Sequence, residues 1–291
     1  MSKVPQLIGQ SPKFQEVLRT ADLVAGTDVP VLLSGETGTG KDMLAQRIHA
    51  NSRRKQRALV KVNCASSFVE DDIFKPKKGA IARANKASLF LDEVAALPDI
   101  VQLKLLNFLE KESADIRIIA STRKNLGSEV KEGHFRAELL YRLNVIPIEL
   151  PALKDRQGDV EILMDYFLRQ LVAEQHQPMP EFSKQALKRI NQYEWSGNVR
   201  ELYNFCERMF ILFSGKQVSV TNLPREFRQY TSRTENIFSL PETGIKLDAV
   251  EIDFILQALN KTGGNKSQAA RLLGLSRDTF LYRLKKYSIE L

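Results

Sequence analysis

A glycine-rich loop that ends in a lysine is the first feature of the sequence that could do chemistry. It occupies residues 35–42 (Gly-Glu-Thr-Gly-Thr-Gly-Lys-Asp), after an apolar segment and before a helical pattern. Glycines at this spacing let backbone N–H groups wrap a phosphate, and the lysine adds a mobile charge for the terminal phosphates. The predicted nucleotide-binding residues of the loop are Gly35, Glu36, Thr37, Gly38, Thr39, Gly40, Lys41 and Asp42. The alternative is a glycine-rich turn with an incidental lysine.

Two adjacent carboxylates, Asp92 and Glu93, end a second apolar segment. Beside a phosphate-binding loop, the first can hold magnesium and the second can activate the attacking water. We therefore predict ATP and Mg²⁺ as cofactors, with Asp42 and Asp92 as metal ligands and Glu93 as the catalytic base. Asp42 stands where such loops usually carry Ser or Thr, so the ion would be held differently, through water. Alone, an acidic pair at a strand end is a common solubilising device.

Alternating apolar and helical segments must position these groups. Short apolar runs occur at residues 29–33, 58–62, 88–91, 116–120 and 145–150, with helical patterns between several of them. Such strands indicate an α/β fold in which helices cover both faces of a parallel sheet. From residue 159 to about residue 227 the hydrophobic period is helical, which predicts an all-helical subdomain.

The last segment predicts a helix-turn-helix. Asn265 caps a short helix that ends at Gly274, and Ser276 caps a second one. The apolar residues predicted to fill the interface are Ala269, Ala270, Leu273, Leu275, Phe280 and Leu284. The predicted DNA-binding residues are Lys266, Ser276, Arg277, Thr279, Tyr282, Arg283 and Lys286. The second helix would enter the major groove; the alternative is a helical hairpin used only for dimerisation.

Composition bounds the remaining possibilities. The chain has 291 residues and a formal charge of +8 from 43 basic and 35 acidic residues, which suits an anionic partner such as nucleic acid. Two distant cysteines exclude a disulfide framework and a cysteine zinc site, and favour the cytoplasm. No apolar run approaches the roughly 18 residues of a membrane helix. The predicted organisation is an α/β subdomain (1–150), a helical subdomain (151–228), a polar linker (229–246) and the helix-turn-helix (247–291).

These motifs together resemble the AAA+ domain and the Fis-type helix-turn-helix of bacterial sigma-54 activators. The shared signatures are the loop at 35–42, Asn-Cys-Ala at 63–65, Leu-Phe-Leu-Asp-Glu at 89–93, two arginine motifs at 135–136 and 141–145, and Trp-Ser-Gly-Asn-Val-Arg-Glu-Leu at 195–202. The resemblance covers nearly the whole chain. It implies an AAA+ phosphate-loop sheet with a helical lid and a homo-oligomer, either a dimer or a ring.

The resemblance also implies roles for single residues. Asn63 corresponds to the partner that restrains Glu93, and Thr122 to the first nucleotide sensor. Arg136 and Arg142 correspond to fingers that reach the γ-phosphate of the adjacent subunit, and Arg200 to the sensor of the lid. Guanidinium groups suit this work because they match phosphate bidentately and keep their charge when desolvated. The alternative for Arg136 and Arg142 is surface ion pairing.

The sequence departs from the family at the elements that contact sigma-54. The surface loop Gly-Ala-Phe-Thr-Gly-Ala is absent, and Lys-Pro-Lys-Lys at 75–78 leads directly into Gly-Ala-Ile-Ala-Arg-Ala at 79–84, which aligns with the segment after that loop. Residues 108–116 leave no room for the usual second insertion. Arg123 replaces the polar neighbour of the first sensor, and Ser196 replaces a proline.

The leading hypothesis is a DNA-binding transcriptional regulator with an ATP-binding AAA+ core that acts without remodelling sigma-54 polymerase. Its expected partners are double-stranded promoter or enhancer DNA and RNA polymerase, the housekeeping holoenzyme rather than the sigma-54 form, with no membrane. Its ATPase is expected to be weak or absent. The alternative is an ATP-hydrolysing AAA+ activator that remodels the holoenzyme. A metabolic kinase, the third possibility, is disfavoured by the helix-turn-helix and the finger arginines.

Overall fold

Two compact units make up the chain, Met1–Tyr230 and Thr231–Leu291. The computed structural model describes residues 6–111, 115–228, 244, 246–287 and 289. Most of the predicted linker at 229–246 therefore lies outside the described residues. Within the described ranges no helix is long and apolar enough to span a membrane.

A five-stranded parallel sheet forms the centre of the larger unit, with the strand order β2-β3-β4-β1-β5. The strands are β1 (Val31–Ser34), β2 (Leu59–Asn63), β3 (Ser88–Asp92), β4 (Arg117–Thr122) and β5 (Ile146–Glu149). The prediction of a parallel sheet is confirmed, and its strand ends shift by at most two residues. In the register of β2 with β3, Asn63 lies level with Asp92.

Helices cover both faces of this sheet. They are α1 (Pro12–Ala25), α2 (Lys41–Ala50), α3 (Val69–Phe74), α4 (Ala80–Arg83), α5 (Asp99–Glu110), α6 (Leu126–Lys131) and α7 (Ala137–Leu143). Successive residues of β3 enter opposite cores: Leu89 and Leu91 pack with α3, α5 and α7, whereas Phe90 packs with α1 and α2. Because side chains alternate along a strand, an almost wholly apolar strand needs a covered face on each side.

The rest of the larger unit is a mostly helical lid. Its elements are α8 (Asp159–Gln175), β6 (Glu181–Phe182), α9 (Lys184–Gln192), α10 (Asn198–Phe213), β7 (Gln217–Val218) and α11 (Arg225–Arg228). The prediction of an all-helical subdomain was wrong in one detail, because β6 and β7 form a two-stranded parallel pair. Two-residue strands are too short to show a period of two in the sequence. Trp195, 1% exposed, lies in the lid core beside the rings of Phe205 and Phe227.

The described residues of the smaller unit form three helices around one hydrophobic cluster. They are α12 (Leu247–Lys261), α13 (Lys266–Leu272) and α14 (Arg277–Lys286). The predicted interface residues all belong to this cluster: Ala269, Ala270, Phe280 and Leu284 are buried, and Leu273 and Leu275 are partly buried. Helix α12 adds Ile255, Ala258 and Leu259 to it.

Candidate functional site

The glycine-rich loop connects β1 to the first turn of α2 and passes very close to the lid. Gly38 has a φ of +82°, a conformation that side chains rarely adopt. A Cβ at this position would lie 2.2 Å from the carbonyl oxygen of Gly197. The backbone N–H of Val199 donates to the Gly38 carbonyl at 3.0 Å. The loop and the lid are therefore joined through backbone atoms.

Lys41 is held at the centre of the loop. Its Nζ donates to the carbonyl oxygens of Gly35 at 2.7 Å and Glu36 at 3.1 Å, and lies 3.6 Å from Glu93 Oε1. The residue is only 7% exposed. Burial lowers the pKa of Lys41, and the neighbouring carboxylates of Glu93 and Asp92 oppose that shift. The lysine thus connects the loop to the predicted catalytic base.

Ser121, at the end of β4, organises the acidic pair. Its hydroxyl donates to Asp92 Oδ1 at 2.6 Å and accepts the backbone N–H of Glu93 at 3.1 Å. Glu93 has a φ of +61°, which ends the strand, and its Oε2 accepts the Arg123 N–H at 3.1 Å. Ser121 could not be predicted from the sequence, because a serine at the end of an apolar segment gives no signal.

Lys61, also missed, lies between the two predicted metal ligands. Its Nζ is 2.5 Å from Asp42 Oδ1 and 3.2 Å from Asp92 Oδ2. Gln46 donates to the other carboxylate oxygen of Asp42 at 2.8 Å. Partial burial disfavours the charged form of Lys61, but the hydrogen bonds and charges of these two aspartates outweigh it and raise the pKa of Lys61 above its ordinary value. Because Lys61 lies between Val60 and Val62, the alternation along β2 predicts that its side chain is on the exposed face of the strand. The alternation does not predict its contact with Asp42.

The geometry disagrees with Asp42 and Asp92 as direct magnesium ligands. Carboxylate oxygens suit Mg²⁺, but the ion needs a near-octahedral oxygen shell at about 2.0–2.1 Å. Here an ammonium group bridges the two carboxylates. Among the described residues, the potential metal ligands that converge in a group of three are Glu129, Glu132 and His134, beside α6. The residues at the loop therefore do not fit a directly bound magnesium ion as they are arranged.

The predicted first sensor turns away from these groups. Thr122 is 1% exposed, and its hydroxyl donates to the Lys124 carbonyl at 3.1 Å and accepts the Lys124 N–H at 3.0 Å. Its neighbour Arg123 instead lines the cavity beside Lys41. The substitution noted at position 123 therefore adds a basic residue to the lining of this cavity.

A cavity of about 560 Å³ brings the loop, the carboxylates and the lid together. Lys41 and Asp42 line it from the start of α2, Asp92 and Glu93 from the end of β3, and Arg200 from α10. Its lining has five basic residues (Lys41, Lys61, Arg123, Lys124 and Arg200) against three acidic ones (Asp42, Asp92 and Glu93), a formal charge of +2. This surplus suits a polyphosphate.

Asn198 connects the first turn of α10 to the glycine-rich loop by side-chain hydrogen bonds. Its Nδ2 donates to Glu36 Oε2 at 2.9 Å and to the Thr37 carbonyl at 3.1 Å, while its Oδ1 accepts the Leu153 N–H at 2.7 Å. The side chain is fully buried. This residue belongs to the signature at 195–202, but the sequence pattern alone indicates no role for it.

A second, smaller cavity of about 230 Å³ lies on the other side of Gly40. Leu7 and Ile8 of the N-terminal segment line it opposite Tyr166 and Phe167 of α8. Apolar and aromatic walls next to a phosphate loop suit the ring of a nucleobase. The sequence alone gave no sign of this pocket, because its walls come from segments far apart in the chain.

The remaining residues assigned by the resemblance lie outside the polar cluster or at its rim. Asn63 lines the cavity, but its Oδ1 accepts the Ala65 N–H at 3.0 Å, so the predicted pairing with Glu93 is not formed here. Arg136 caps α7 and donates to Asp99 at 2.8 Å. Arg142, on α7, is exposed. Neither arginine lines the cavity of its own chain.

The segment that replaces the sigma-54-contacting loop is a compact turn. The backbone N–H groups of Lys78 and Gly79 both donate to the Lys75 carbonyl, at 3.2 and 2.6 Å. The chain then enters α4, and both Ala80 in this helix and Ala84 directly after it are completely buried. Residues 75–79 thus form no protrusion. At the second predicted deletion, α5 ends at Glu110 and β4 begins at Arg117, with residues 112–114 outside the described ranges.

The turn between α13 and α14 has the geometry expected of a helix-turn-helix. Gly274 has a φ of +65°, its N–H donates to Arg271 and the Leu275 N–H donates to Ala270, which is a Schellman motif. The Ser276 hydroxyl then accepts the Thr279 N–H at 3.2 Å and caps α14. The predicted caps at Asn265 and Ser276 are both present.

The predicted DNA-binding side chains fall into two groups. Lys266, Ser276, Arg277, Thr279 and Tyr282 are exposed. Arg283 is half-buried and pairs with Glu251 of α12 at 2.6 Å, and Lys286 lies 3.6 Å from Asp248. The second group therefore already has anionic partners within the domain.

A parallel sheet with this strand order, a phosphate loop after β1 and a helical lid define an AAA+ P-loop protein. The sequence matches the family described as Sigma-54 interaction domain over residues 7–149, the AAA+ ATPase lid domain over 154–239 and the Bacterial regulatory protein, Fis family, over 246–287. The chain belongs to the family of sigma-54-dependent transcriptional regulators.

Individual relatives agree with this assignment. The transcriptional regulatory protein ZraR of Salmonella typhimurium is 37% identical over 305 residues, which cover 96% of this chain and 68% of the relative. The DNA-binding transcriptional regulator NtrC of Proteus hauseri is 33% identical, with coverage of 100% and 71%. The crystal structure of NtrX from Brucella abortus in complex with ATP superposes with a TM-score of 0.73 at 30% identity, and covers 97% of this chain and 69% of that one.

Proposed function

We propose that this protein is a DNA-binding transcriptional regulator whose AAA+ core binds ATP and which acts without remodelling sigma-54 polymerase. The compact turn at residues 75–79 carries this proposal. A remodelling ring needs an element that projects toward the polymerase, and an extended residue spans at most about 3.3–3.6 Å. The few residues between α3 and α4 are already used by the turn, so none is left to project.

ATP binding is supported by two adjoining cavities. The basic cavity around Lys41 suits the phosphates and the apolar one beside Leu7 suits the base. The related NtrX structure contains ATP. Lys41→Ala should weaken ATP binding measured by calorimetry by about tenfold or more, because a charged hydrogen-bond donor is lost. An unchanged ATP affinity would show that the loop is not part of the nucleotide site.

The second candidate is an ATP-hydrolysing activator that remodels the holoenzyme. The contact of Lys41 with Glu93 favours it, since this carboxylate lies at the loop and could activate water. Exposed Arg142 and half-buried Arg136 would then act on the cavity of a neighbouring subunit in an oligomer. Glu93→Gln should abolish any turnover and leave ATP binding intact.

In vitro transcription from the target promoter distinguishes the two candidates. The reaction is run with the housekeeping and the sigma-54 holoenzyme, each with ATP and with a non-hydrolysable analogue. The proposal predicts activation or repression of the housekeeping holoenzyme both with ATP and with the non-hydrolysable analogue. Open complexes that form only with sigma-54 polymerase and hydrolysable ATP would establish the second candidate instead.

A further inference from the structure

Lys61 and Asp42 form a bridge inside the predicted phosphate site that ordinary phosphate loops do not have. The Ser or Thr that follows the loop lysine normally places its hydroxyl on Mg²⁺. Asp42 instead contacts an ammonium, and the same ammonium reaches Asp92 on β3. Both carboxylates are held in place by other groups, Asp42 by Gln46 and Asp92 by Ser121.

The lysine is fixed by the sheet rather than by a loop. Its backbone lies within β2 and is paired with β3 at the level of Phe90, and its Nζ lies 5.4 Å from the centre of that ring. A magnesium ion between the aspartates would have to displace an ammonium that already neutralises one charge of the pair. Mg²⁺ also gives up its bound water reluctantly, so it competes poorly for a position that requires direct contact with both carboxylates.

The cavity has a surplus of positive charge of its own. Its basic lining residues are Lys41 at the start of α2, Lys61 on β2, Arg123 and Lys124 after β4, and Arg200 on the lid helix α10. With its three carboxylates counted, the lining keeps a formal charge of +2. A polyphosphate therefore meets a net positive site while both aspartates remain paired with Lys61.

We infer that Lys61, held by Asp42 and Asp92, takes the place of magnesium, so that this chain binds adenine nucleotide without a divalent cation. The inference rests on the ATP binding proposed above. It also accounts for an aspartate in the loop, since Asp42 is the residue that draws the ammonium toward the phosphates.

The test is the ATP affinity of the whole protein, measured by calorimetry in EDTA and in excess Mg²⁺. The wild type should bind with affinities that agree within about twofold in the two conditions. Affinity lost by about tenfold or more in EDTA would overturn the inference and leave ATP binding standing. No binding in either condition would overturn both.

Two variants and a control isolate the lysine. Lys61→Met keeps the carbon stem and should lose about tenfold or more of its ATP affinity in EDTA, because two unpaired aspartates then face the phosphates. The double variant Asp42→Ser with Lys61→Met restores the ordinary loop residue, and its binding should require Mg²⁺. The control Lys75→Met removes an exposed lysine that is paired with Asp71 at 3.6 Å and lines neither nucleotide cavity, and it should match the wild type in both conditions. Equal ATP affinity in EDTA for Lys61→Met and Lys75→Met would overturn the inference.

Discussion

A buried carboxylate, Asp159, decides where the N-terminal segment lies. It accepts the backbone N–H groups of Gln10 and Ser11, at 2.6 and 3.0 Å, and the guanidinium of Arg156 at 2.8 Å. Arg156 in turn donates to the Ile8 carbonyl. The pair is almost completely buried, with exposures of 0% and 2%. Because Ile8 lines the apolar cavity, this ion pair positions one wall of the proposed base pocket.

Removal of the charge of Asp159 should therefore be strongly destabilising. Asp159→Asn keeps the shape but leaves Arg156 buried without its partner, and should lower the free energy of unfolding by about 3–5 kcal/mol. The matched control Asp165→Asn breaks the exposed pair with Arg169 and should cost at most about 1 kcal/mol. Urea denaturation followed by circular dichroism measures both. Equal losses of unfolding free energy in the two variants would mean that the buried Asp159–Arg156 pair stabilises the fold no more than the exposed pair does.

The same carboxylate predicts an acid limit to stability. Burial would raise the pKa of Asp159, but the backbone N–H of Gln10 and the guanidinium of Arg156 outweigh it and hold the pKa below its ordinary value of 3.8. A carboxyl with a lower pKa in the folded state stabilises the fold above its unfolded pKa, and loses that contribution as the pH falls through the folded pKa. Unfolding free energy should thus fall below about pH 3.8 more steeply for the wild type than for Asp159→Asn. Parallel pH profiles of the two proteins would contradict this origin.

At the scale of elements, one buried side chain connects the lid to the phosphate loop. Asn198 begins α10, and its side chain makes two hydrogen bonds to the loop, one to the Leu153 N–H and one to the Ser196 carbonyl at 3.4 Å. Arg200 is two residues further along the same helix and lines the phosphate cavity. A nucleotide that shifts the loop therefore shifts the first turn of α10 through Asn198.

Asn198→Gly tests this connection without adding backbone strain, because glycine accepts the φ of +54° that Asn198 adopts. The loss of its buried bonds should lower the free energy of unfolding by about 1–3 kcal/mol. ATP should also stabilise the variant less than the wild type, as measured by the shift in Tm. Asn191→Ala, which breaks an exposed bond to Glu161, is the control and should leave the ATP-induced shift unchanged. If ATP raised the Tm of Asn198→Gly as much as that of the wild type, Asn198 would not couple the lid to the loop.

The recognition helix offers a comparison between two arginines of the same element. Arg277 is exposed at the start of α14, whereas Arg283 is paired with Glu251. Arg277→Ala should weaken specific DNA binding by about 1–3 kcal/mol if the side chain reads a base. Arg283→Ala should cost less, because Arg283 gives up its ion pair in order to reach DNA. Gel-shift titrations on the target site measure both, and a larger loss for Arg283→Ala would show that Glu251 does not hold it back.

The elements were more predictable than the contacts within them. Periodicity located all five strands of the central sheet, and residue types located both caps of the helix-turn-helix, because these signals are local. The loop residues were likewise evident from their spacing. Lys61, Ser121 and Asn198 were not, since each acts through a partner distant in the chain and brought near by the parallel register or the lid. Thr122 shows the converse: the resemblance supplied a role, but the side chain bonds to Lys124.

At the scale of the whole molecule, the two units have separate hydrophobic cores. The sheet and lid cores lie within Met1–Tyr230, and the cluster around Phe280 lies within Thr231–Leu291. Each proposed site is likewise contained in one unit, the nucleotide cavities in the first and the helix-turn-helix in the second. Separate cores and separate sites predict functions that can be divided.

Truncation after Tyr230 should therefore leave one function and remove the other. The shortened chain should bind ATP within about twofold of the full chain, because every residue that lines the two nucleotide cavities lies within Met1–Tyr230. Its affinity for the target site should fall to the non-specific level, on the order of a thousandfold or more weaker. Calorimetry with ATP and gel shifts on specific and scrambled DNA measure the two affinities, with the full chain as the reference. Retained discrimination between the two DNAs would place a DNA-reading surface in the AAA+ unit, and a loss of ATP binding would show that the smaller unit supports the nucleotide site.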